Sequence, residues 1–390
     1  MNLLAKTSHD AWSEDELLAL GTGPIPAAAY YAPEAFELER QAVFMRSWIL
    51  LGHCCEVPEP GDYIVREVEF ARASILVSHG RDGTLRAFHN VCTHRGTRLV
   101  PSESGNAATF TCRYHAWTFA SDGALRSAPD FERFYVDKAD CALRQLKLET
   151  CGGLIFVHFG EPAEDLHSFL GEATEKLAPL SRATRFSEFH YDIDANWKVV
   201  LDNFQENYHL KFVHSTADNA VGPDNPFGYP VAYRFFGPHR TQTLWKNPEH
   251  GTPKPVQLKA YMSAGVEAAQ SGFPDCDMKL FPNLHIVSHG GFYFVQRIMP
   301  VSAGRSHCVF RLFWMGDEHN ASSRFSREYV FNSVRDVITE DRSIVMAVQQ
   351  GLSSGALEHI HFQEHEIMCR HLYHMVQAMI GEWQAGGGVA

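Results

Sequence analysis

The sequence of 390 residues lacks the marks of several protein classes. No apolar run approaches the roughly 18 residues that a membrane-spanning helix needs, and the first residues lack the basic region and apolar core of a secretory signal. Positive charge is scarce too, because 34 Lys and Arg stand against 46 Asp and Glu. That balance argues against a nucleic-acid backbone as the partner. We therefore expect a soluble, cytoplasmic protein that binds neither membranes nor nucleic acids.

A disulfide framework is missing as well. The nine cysteines are an odd number spread along a long chain, which is a poor pattern for paired cysteines. Reduced thiols, some of them metal ligands, fit better. Histidines, by contrast, are numerous, with 22 in the chain. The spacing of histidines and cysteines therefore indicates where metals bind.

The pattern of apolar residues and turn residues changes twice along the chain. Residues 1–45 end in a helical pattern, which we expect to pack on the catalytic domain. Residues 46–160 alternate short β-type runs with Asp-Gly turns, as a small all-β domain does. Residues 161–390 mix strand pairs with helical patterns, the clearest of them at 196–214 and 325–350. The sequence thus predicts an α+β protein, in which a small all-β domain is inserted into a larger domain of helices and antiparallel sheet.

The first candidate metal site consists of two mixed pairs, Cys92-x-His94 and Cys112-x-x-His115, at turns between strands of the small domain. Two thiolates and two imidazoles on paired loops suit a [2Fe–2S] cluster in which each iron has one kind of ligand. A structural Zn²⁺ with the same four ligands is the alternative. Classical zinc fingers have Cys-Cys and His-His pairs on a ββα unit, so the iron–sulfur cluster is favoured.

The second candidate site lies in the larger domain, where His209 and His214 are five residues apart. Five residues of ideal helix place two side chains about 140° apart, so both imidazoles can bind one metal only if the helix is broken or bent. Asp341, which we expect to open a helix, would complete a set of two histidines and one carboxylate. That set is typical of non-heme Fe(II) oxygenases. From spacing alone, two histidines on a polar helix face remain an equal alternative.

Together these motifs resemble the α subunits of Rieske non-heme iron oxygenases. CTHRG and CRYHAW resemble the Rieske motif of the oxygenase kind, and E-x-Y-H-x4-H followed by ED and Q-x-G-L resembles the catalytic domain. The resemblance covers roughly residues 30 to 380. It implies a [2Fe–2S] cluster on the four Cys and His ligands, mononuclear Fe(II) on His209, His214 and Asp341, and O₂ as co-substrate. It also implies electrons from NAD(P)H, delivered by a ferredoxin or flavin reductase.

The resemblance also implies roles for three neighbouring residues. Glu206 occupies the place of a bridging carboxylate, usually Asp, that links a Rieske histidine of one subunit to an iron-binding histidine of the next. Such a carboxylate orients both imidazoles by accepting hydrogen bonds from them. The arrangement implies a homotrimer, with or without a β subunit. Asn203 and Tyr208 are expected to flank the iron, with simple helix packing as the alternative for each.

The resemblance implies a terminal oxygenase that hydroxylates or dihydroxylates an aromatic compound. Glu at position 206 resembles family members that oxidise quaternary ammonium compounds, so mono-oxygenation or N-demethylation of a betaine or carnitine-like molecule is the alternative. A Rieske electron carrier without oxygenase activity is a rival of another class, as is a binding protein stabilised by zinc. A bound metal is not expected at His361 and His365, four residues apart on a predicted helix. For His285 and His289, a packed or surface position is favoured over one in the substrate cavity.

Overall fold

The computed structural model describes residues 12–214, 232–243, 277–288, 291–316 and 320–388. His289 lies outside these ranges. The chain forms two compact units, Phe44–Leu166 and the combination of Met1–Val43 with His167–Ala390. Each unit has the predicted class of structure, all-β for the first and helices with antiparallel sheet for the second, so the fold expectation is confirmed. Within the described ranges, every helix is too short or too polar to cross a bilayer.

The N-terminal segment supplies α1 (Glu14–Leu18), β1 (Ile25–Pro26) and α2 (Pro33–Ala42) to the larger unit. Ser13 caps α1, because its hydroxyl accepts the Glu16 N–H while the Glu16 carboxylate accepts the Ser13 N–H. Pro33 opens α2, a position where its missing N–H costs nothing.

The small unit is built from two antiparallel sheets. Their strands are β2 (Ile49–His53), β3 (Asp62–Val68), β4 (Ala73–His79), β5 (Leu85–His89), β6 (Ser104–Asn106), β7 (Thr109–Thr111), β8 (Thr118–Ala120), β9 (Leu125–Ser127), β10 (Gln145–Cys151) and β11 (Leu154–His158). A seven-stranded sheet has the order β2–β11–β10–β5–β4–β3–β6, and a three-stranded sheet has the order β7–β8–β9. The Asp-Gly turns form as predicted, with Gly83 and Gly123 in the left-handed region at φ 77° and 86°.

The larger unit contains the strands β12 (Phe186–Ile193), β13 (Ala232–Phe236), β14 (His239–Thr243), β15 (Asp277–Leu280), β16 (Leu284–Ser288), β17 (Phe292–Ser302), β18 (Arg305–Trp314) and β19 (His359–Ile360). This unit has a seven-stranded antiparallel sheet in the order β12–β18–β17–β16–β15–β14–β13, and it also has the pair β1–β19. Its remaining helices are α3 (Leu166–Leu170), α4 (Ala173–Leu177), α5 (Trp197–Asn203), α6 (Leu210–Val213), α7 (Ala321–Ser353) and α8 (Ile367–Ala385).

The segment 196–214 is not the continuous helix that its pattern predicts. It forms α5 and the single turn α6, separated by a non-helical stretch. Asn196 caps α5 by accepting the Lys198 N–H at 2.9 Å. The break follows from Glu206, whose carboxylate accepts the N–H groups of Tyr208 and His209. In a continuous helix, carbonyls of the preceding turn would accept both.

Two further helix predictions are wrong. Asp341 does not open a helix; it lies inside α7, which is 33 residues long and begins after Asn320. Asn320 caps that helix with its side chain, and no Gly or Pro interrupts the chain before Gly351. His361 and His365 do not share a helix either, because α8 begins only at Ile367.

A buried ion pair joins α5 to α2. Lys198 and Glu39 are each 1% exposed, and Nζ lies 2.5 Å from Oε1. The other Glu39 oxygen accepts Trp197 Nε1–H at 2.8 Å. Gln349 of α7 fixes the start of α5 by accepting the Asn196 N–H at 2.8 Å. These contacts hold α5, and with it the segment that leads to His209, against the N-terminal part of the chain.

Lys198→Met should lower the free energy of unfolding by about 3–5 kcal/mol, because it leaves the Glu39 carboxylate buried without its cation. Urea denaturation followed by circular dichroism measures the loss. Lys147→Met is the control, since Lys147 is half-exposed and pairs only at the surface with Glu161, and it should cost less than about 1 kcal/mol. Equal losses in the two variants would contradict this role for the buried pair.

Candidate metal centres

The two loops of the small unit have the same backbone fold. In the first, Cys92 N–H donates to Thr97 O at 2.8 Å, and Gly96 N–H donates to Cys92 O at 3.0 Å. The second loop repeats both bonds with the same lengths, through Cys112, Ala116 and Trp117. The fifth residue of each loop is left-handed, with φ 77° at Gly96 and 59° at Ala116. An alanine in that conformation is strained, so the hydrogen bonds that the loop makes to itself must hold it there.

The four predicted ligands lie together at the ends of these loops. Cys92 and Cys112 are each 2% exposed, whereas His94 and His115 are half-buried, with ring centroids 4.6 Å apart. Trp117 stacks on His94 at 4.8 Å. Burial raises the pKa of the Cys92 thiol, and the neighbouring Cys112 adds to the effect. Burial also lowers the pKa of His94, which keeps its imidazole neutral and able to bind a metal.

These ligands do not surround a single point. In the described part of the chain, one group of three or more His, Cys, Asp or Glu brings its ligand atoms within 4.8 Å of one another, and it is His209, His214 and Asp341. Four ligands at about 2.0–2.3 Å from one Zn²⁺ would all lie closer together than that. A cluster with two irons, one bound by the cysteines and the other by the histidines, fits the wider arrangement.

In the larger unit, His209 and His214 flank the one-turn helix α6, and Asp341 approaches them from the middle of α7. The Nε2 atoms of His209 and His214 lie 3.5 and 3.0 Å from Asp341 Oδ1. Two ligand atoms at about 2.1 Å from one ion and at right angles are about 3 Å apart. Both His214 Nε2 and Asp341 Oδ1 are buried without a hydrogen-bond partner. These orphaned, converging atoms fit a metal ion.

Each histidine is oriented by a carboxylate on its opposite nitrogen. His209 Nδ1 donates to Glu206 Oε1, and His214 Nδ1 donates to Glu340 Oε2 at 2.8 Å. A carboxylate only accepts, so a proton is held at Nδ1 and Nε2 faces Asp341. Burial lowers the pKa of His209, but Asp341 and Glu206 outweigh it and raise the pKa to about 9, so without a metal Nε2 also carries a proton, which a bound cation would displace. Three facing carboxylates thus provide the negative charge that a divalent cation neutralises.

Glu340 was not among the residues expected from the sequence. Neighbouring residues on a helix point about 100° apart, so Glu340 and Asp341 carry no shared periodic signal. Asn203 ends α5 with its amide nitrogen buried and unpartnered, while Tyr208 is 46% exposed and packs on Phe212. The role of both residues beside the iron stays a prediction, as does the contact of Glu206 with a second subunit.

In comparisons with known proteins, each of the two metal centres lies in a part of the chain that matches a family model. The family model "Rieske [2Fe-2S] domain" matches residues 47–147, and the model "Ring hydroxylating alpha subunit (catalytic domain)" matches residues 180–382. The carnitine monooxygenase oxygenase subunit of Acinetobacter pittii (strain PHEA-2) is 30% identical over 340 residues, which are 84% of this chain and 85% of that protein. The large oxygenase component of a naphthalene 1,2-dioxygenase system from Pseudomonas aeruginosa is 35% identical over 194 residues, 47% of this chain and 43% of that protein.

The fold also matches solved structures. A crystal structure of the quaternary ammonium Rieske monooxygenase CntA with its substrate L-carnitine aligns with a TM-score of 0.74 and 26% identity, over 95% of this chain and 99% of that one. The complex of the same protein with its substrate γ-butyrobetaine gives a TM-score of 0.73, 25% identity and the same coverage. The likeness therefore extends across both units and is not limited to the metal-binding motifs.

Glu340→Gln should weaken metal binding at the histidine–carboxylate site by about 10- to 100-fold, as loss of an orienting carboxylate does elsewhere. Iron per chain and chelator competition measure this, and the visible spectrum of the [2Fe–2S] cluster should not change.

Asp341→Ala should abolish binding of the mononuclear iron, again without loss of the cluster. Glu328→Gln, exposed on the same helix, is the control. Loss of the cluster in the Asp341 variant would show that the two sites are wrongly assigned.

Proposed function

We propose that this chain, which belongs to the ring-hydroxylating α-subunit family of Rieske oxygenases, mono-oxygenates a quaternary ammonium compound of the betaine or carnitine kind. The chain is an oxidoreductase that uses O₂, and it is the terminal component of its electron-transfer system. It combines a Rieske [2Fe–2S] domain with the catalytic domain of an iron-dependent oxygenase. The substrate class is the part of the assignment that needs argument.

The observation that carries the substrate class is the extent of the two likenesses. The carnitine monooxygenase subunit matches 84% of this chain, whereas the naphthalene dioxygenase component matches 47%. Glu206 supports the same choice, because glutamate at the bridging position resembles the members that oxidise quaternary ammonium compounds. A quaternary ammonium substrate, the alternative expected from the sequence, is therefore better supported than an aromatic one.

The residues of the catalytic centre have two roles, iron binding and orientation of the histidines. His209, His214 and Asp341 would hold the iron, while Glu206 and Glu340 keep each imidazole in the required tautomer. The [2Fe–2S] cluster, when bound, supplies electrons singly, and the iron supplies the place at which O₂ is reduced beside the substrate. The catalytic unit must also bind the substrate within reach of that iron and keep bulk water away from it.

Aromatic rings cluster around Ile338, one helical turn from Asp341. Phe294 and Phe310 pack at 4.5 Å between centroids on the sheet face that α7 covers. Phe204, directly after α5, joins the same cluster. Ring faces attract quaternary ammonium groups through cation–π interactions. They would receive an aromatic substrate as well, so this cluster is compatible with the proposal without deciding it.

The rival hypothesis, that the chain is only an electron carrier, does not explain the histidine–carboxylate site of the larger unit. A carrier needs no second metal site, yet here three side chains converge, two of them held by dedicated carboxylates. Burying such a set without a metal would leave unpartnered polar atoms, which folded proteins avoid. A complete second centre in the larger unit therefore favours an oxygenase.

Substrate-dependent O₂ uptake tests the function. The holoprotein is prepared anaerobically and supplied with NADH and a flavin reductase, then offered L-carnitine, γ-butyrobetaine, glycine betaine, naphthalene and benzoate. We expect O₂ uptake coupled to product formation with at least one ammonium compound and only background uptake with the aromatic ones. Coupled turnover of naphthalene or benzoate alone would refute the substrate class. Reduction of the cluster without uptake for any compound would favour the carrier.

Glu206→Gln should weaken binding of the mononuclear iron as Glu340→Gln does, and in protein reconstituted with both metals it should also slow electron transfer between them by at least about tenfold, since the amide cannot accept hydrogen bonds at both of its terminal atoms. The reoxidation rate of the dithionite-reduced cluster in the presence of substrate and O₂ measures this step. Glu382→Gln, exposed on α8, is the control. A near-normal rate would remove Glu206 from the path between the centres, and with it the reason to propose a trimer in which the path crosses subunits.

A further inference from the structure

The two loops that carry the cluster ligands differ at one equivalent position. In each loop the cysteine N–H donates at 2.8 Å to the carbonyl of the residue five places later, which is Thr97 in the first loop and Trp117 in the second. Because this backbone bond is the same in both loops, the loop fold does not require an indole ring at that position. The contacts of the ring therefore explain the presence of Trp117.

The indole of Trp117 lies flat against a ligand of the other loop. It stacks on the imidazole of His94 with 4.8 Å between ring centroids and 11° between the ring planes. Trp117 is buried, so water does not separate the two rings. In a close-packed interior, rotation of the imidazole out of this plane would either separate the two surfaces or cause a clash.

Phe134 packs against the same two rings. It is nearly perpendicular to both of them, with 5.4 Å between centroids in each case. The residue before His94 is anchored as well, because the Thr93 hydroxyl donates to Cys141 O at 2.7 Å. His94 is thus held through its ring and through the neighbouring residue in the chain.

The other histidine ligand of the small unit has a different environment. His115 lies against Tyr114 with 3.7 Å between ring centroids, and Tyr114 is 55% exposed. The guanidinium of Arg95, also at the surface, lies 5.2 Å from the centre of the Tyr114 ring. A ring beside an exposed neighbour is less constrained than a ring beside a buried one. The chain therefore constrains the orientation of His94 more than that of His115.

We propose that Trp117 is a positioning residue of the Rieske centre, and that its indole holds the plane of the His94 imidazole in the orientation that binds iron. Groups that orient a metal ligand influence both the affinity for the metal and its electronic properties. This inference concerns the cluster alone and is independent of the proposed substrate class. Failure of the O₂-uptake test would not affect it, and its own failure would not affect the substrate class.

Pulsed EPR of the dithionite-reduced holoprotein tests this role, because it resolves the couplings of the electron spin to the two histidine nitrogens that bind iron. Trp117→Leu removes the flat ring but keeps an apolar side chain. In protein that still carries the cluster, we expect this variant to alter the nitrogen coupling of one histidine and to leave the other unchanged. Trp117→Phe retains a ring that can stack on His94, so it should restore the wild-type couplings.

Loss of the stack should also weaken cluster binding. An aromatic pair changes an equilibrium by about two- to tenfold beyond the effect of the buried area. Half of the cluster should therefore be removed from Trp117→Leu at a chelator concentration about two- to tenfold lower than from Trp117→Phe. The matched control is Trp48→Leu, because Trp48 is buried in the same unit and packs against His158, which is outside the cluster motif. It should keep both nitrogen couplings.

Wild-type couplings in cluster-loaded Trp117→Leu would overturn the inference, because His94 would then keep its plane without the indole. An equal change in Trp48→Leu would also overturn it, since the effect would reflect a general loss of packing.

If Trp117→Leu does not hold the cluster, Trp117→Met decides, because methionine fills more of the space without a flat ring. An altered coupling of one histidine would support the proposal, and unaltered couplings would reject it. If neither variant holds the cluster but Trp117→Phe does, a ring is required at this position, as proposed. Loss of the cluster from Trp117→Phe as well would reject a role for the ring face.

Discussion

The catalytic centre depends on the interruption of the helix after Asn203. A continuous helix through this segment would hold the two imidazoles about 140° apart. Instead, Glu206 accepts two backbone N–H groups and one imidazole proton. The same carboxylate therefore begins the short helix α6 and sets the ring of His209. Because His214 follows that single turn, both Nε2 atoms reach Asp341.

The sequence allowed the metal-binding residues to be predicted where the signal is local. The two members of each Cys-His pair lie within a few residues of each other, and so do His209 and His214, so their spacing is visible directly. Asp341 is distant in sequence, and only the family resemblance connected it with the histidines. Glu340 was not predicted because only its neighbour Asp341 was expected to act at the metal site, and because adjacent helical residues point in different directions.

Helix boundaries were harder to predict, for a physical reason. Capping depends on which side-chain oxygen takes which N–H group, and the sequence offers many candidates. The acidic pair before Arg342 looks like the first turn of a helix, where carboxylates favour the positive end of the dipole. The actual cap is Asn320, much earlier in the chain, and the long helix places Asp341 on a rigid segment that packs through Val330 and Ile338. A ligand in mid-helix is held more firmly than one at a frayed end.

The two iron-binding histidines and the catalytic sheet share one physical device. A carboxylate that can only accept hydrogen bonds fixes which atom of its neighbour carries the proton, and so determines what the far side of that neighbour offers. Glu206 and Glu340 turn lone pairs of the imidazoles toward Asp341, where a cation can bind them. Asp277 does the same for His285, whose Nε2 it faces at 2.9 Å. One rule thus sets the tautomers of the two iron-binding histidines and of a buried histidine in the sheet, before any ligand binds.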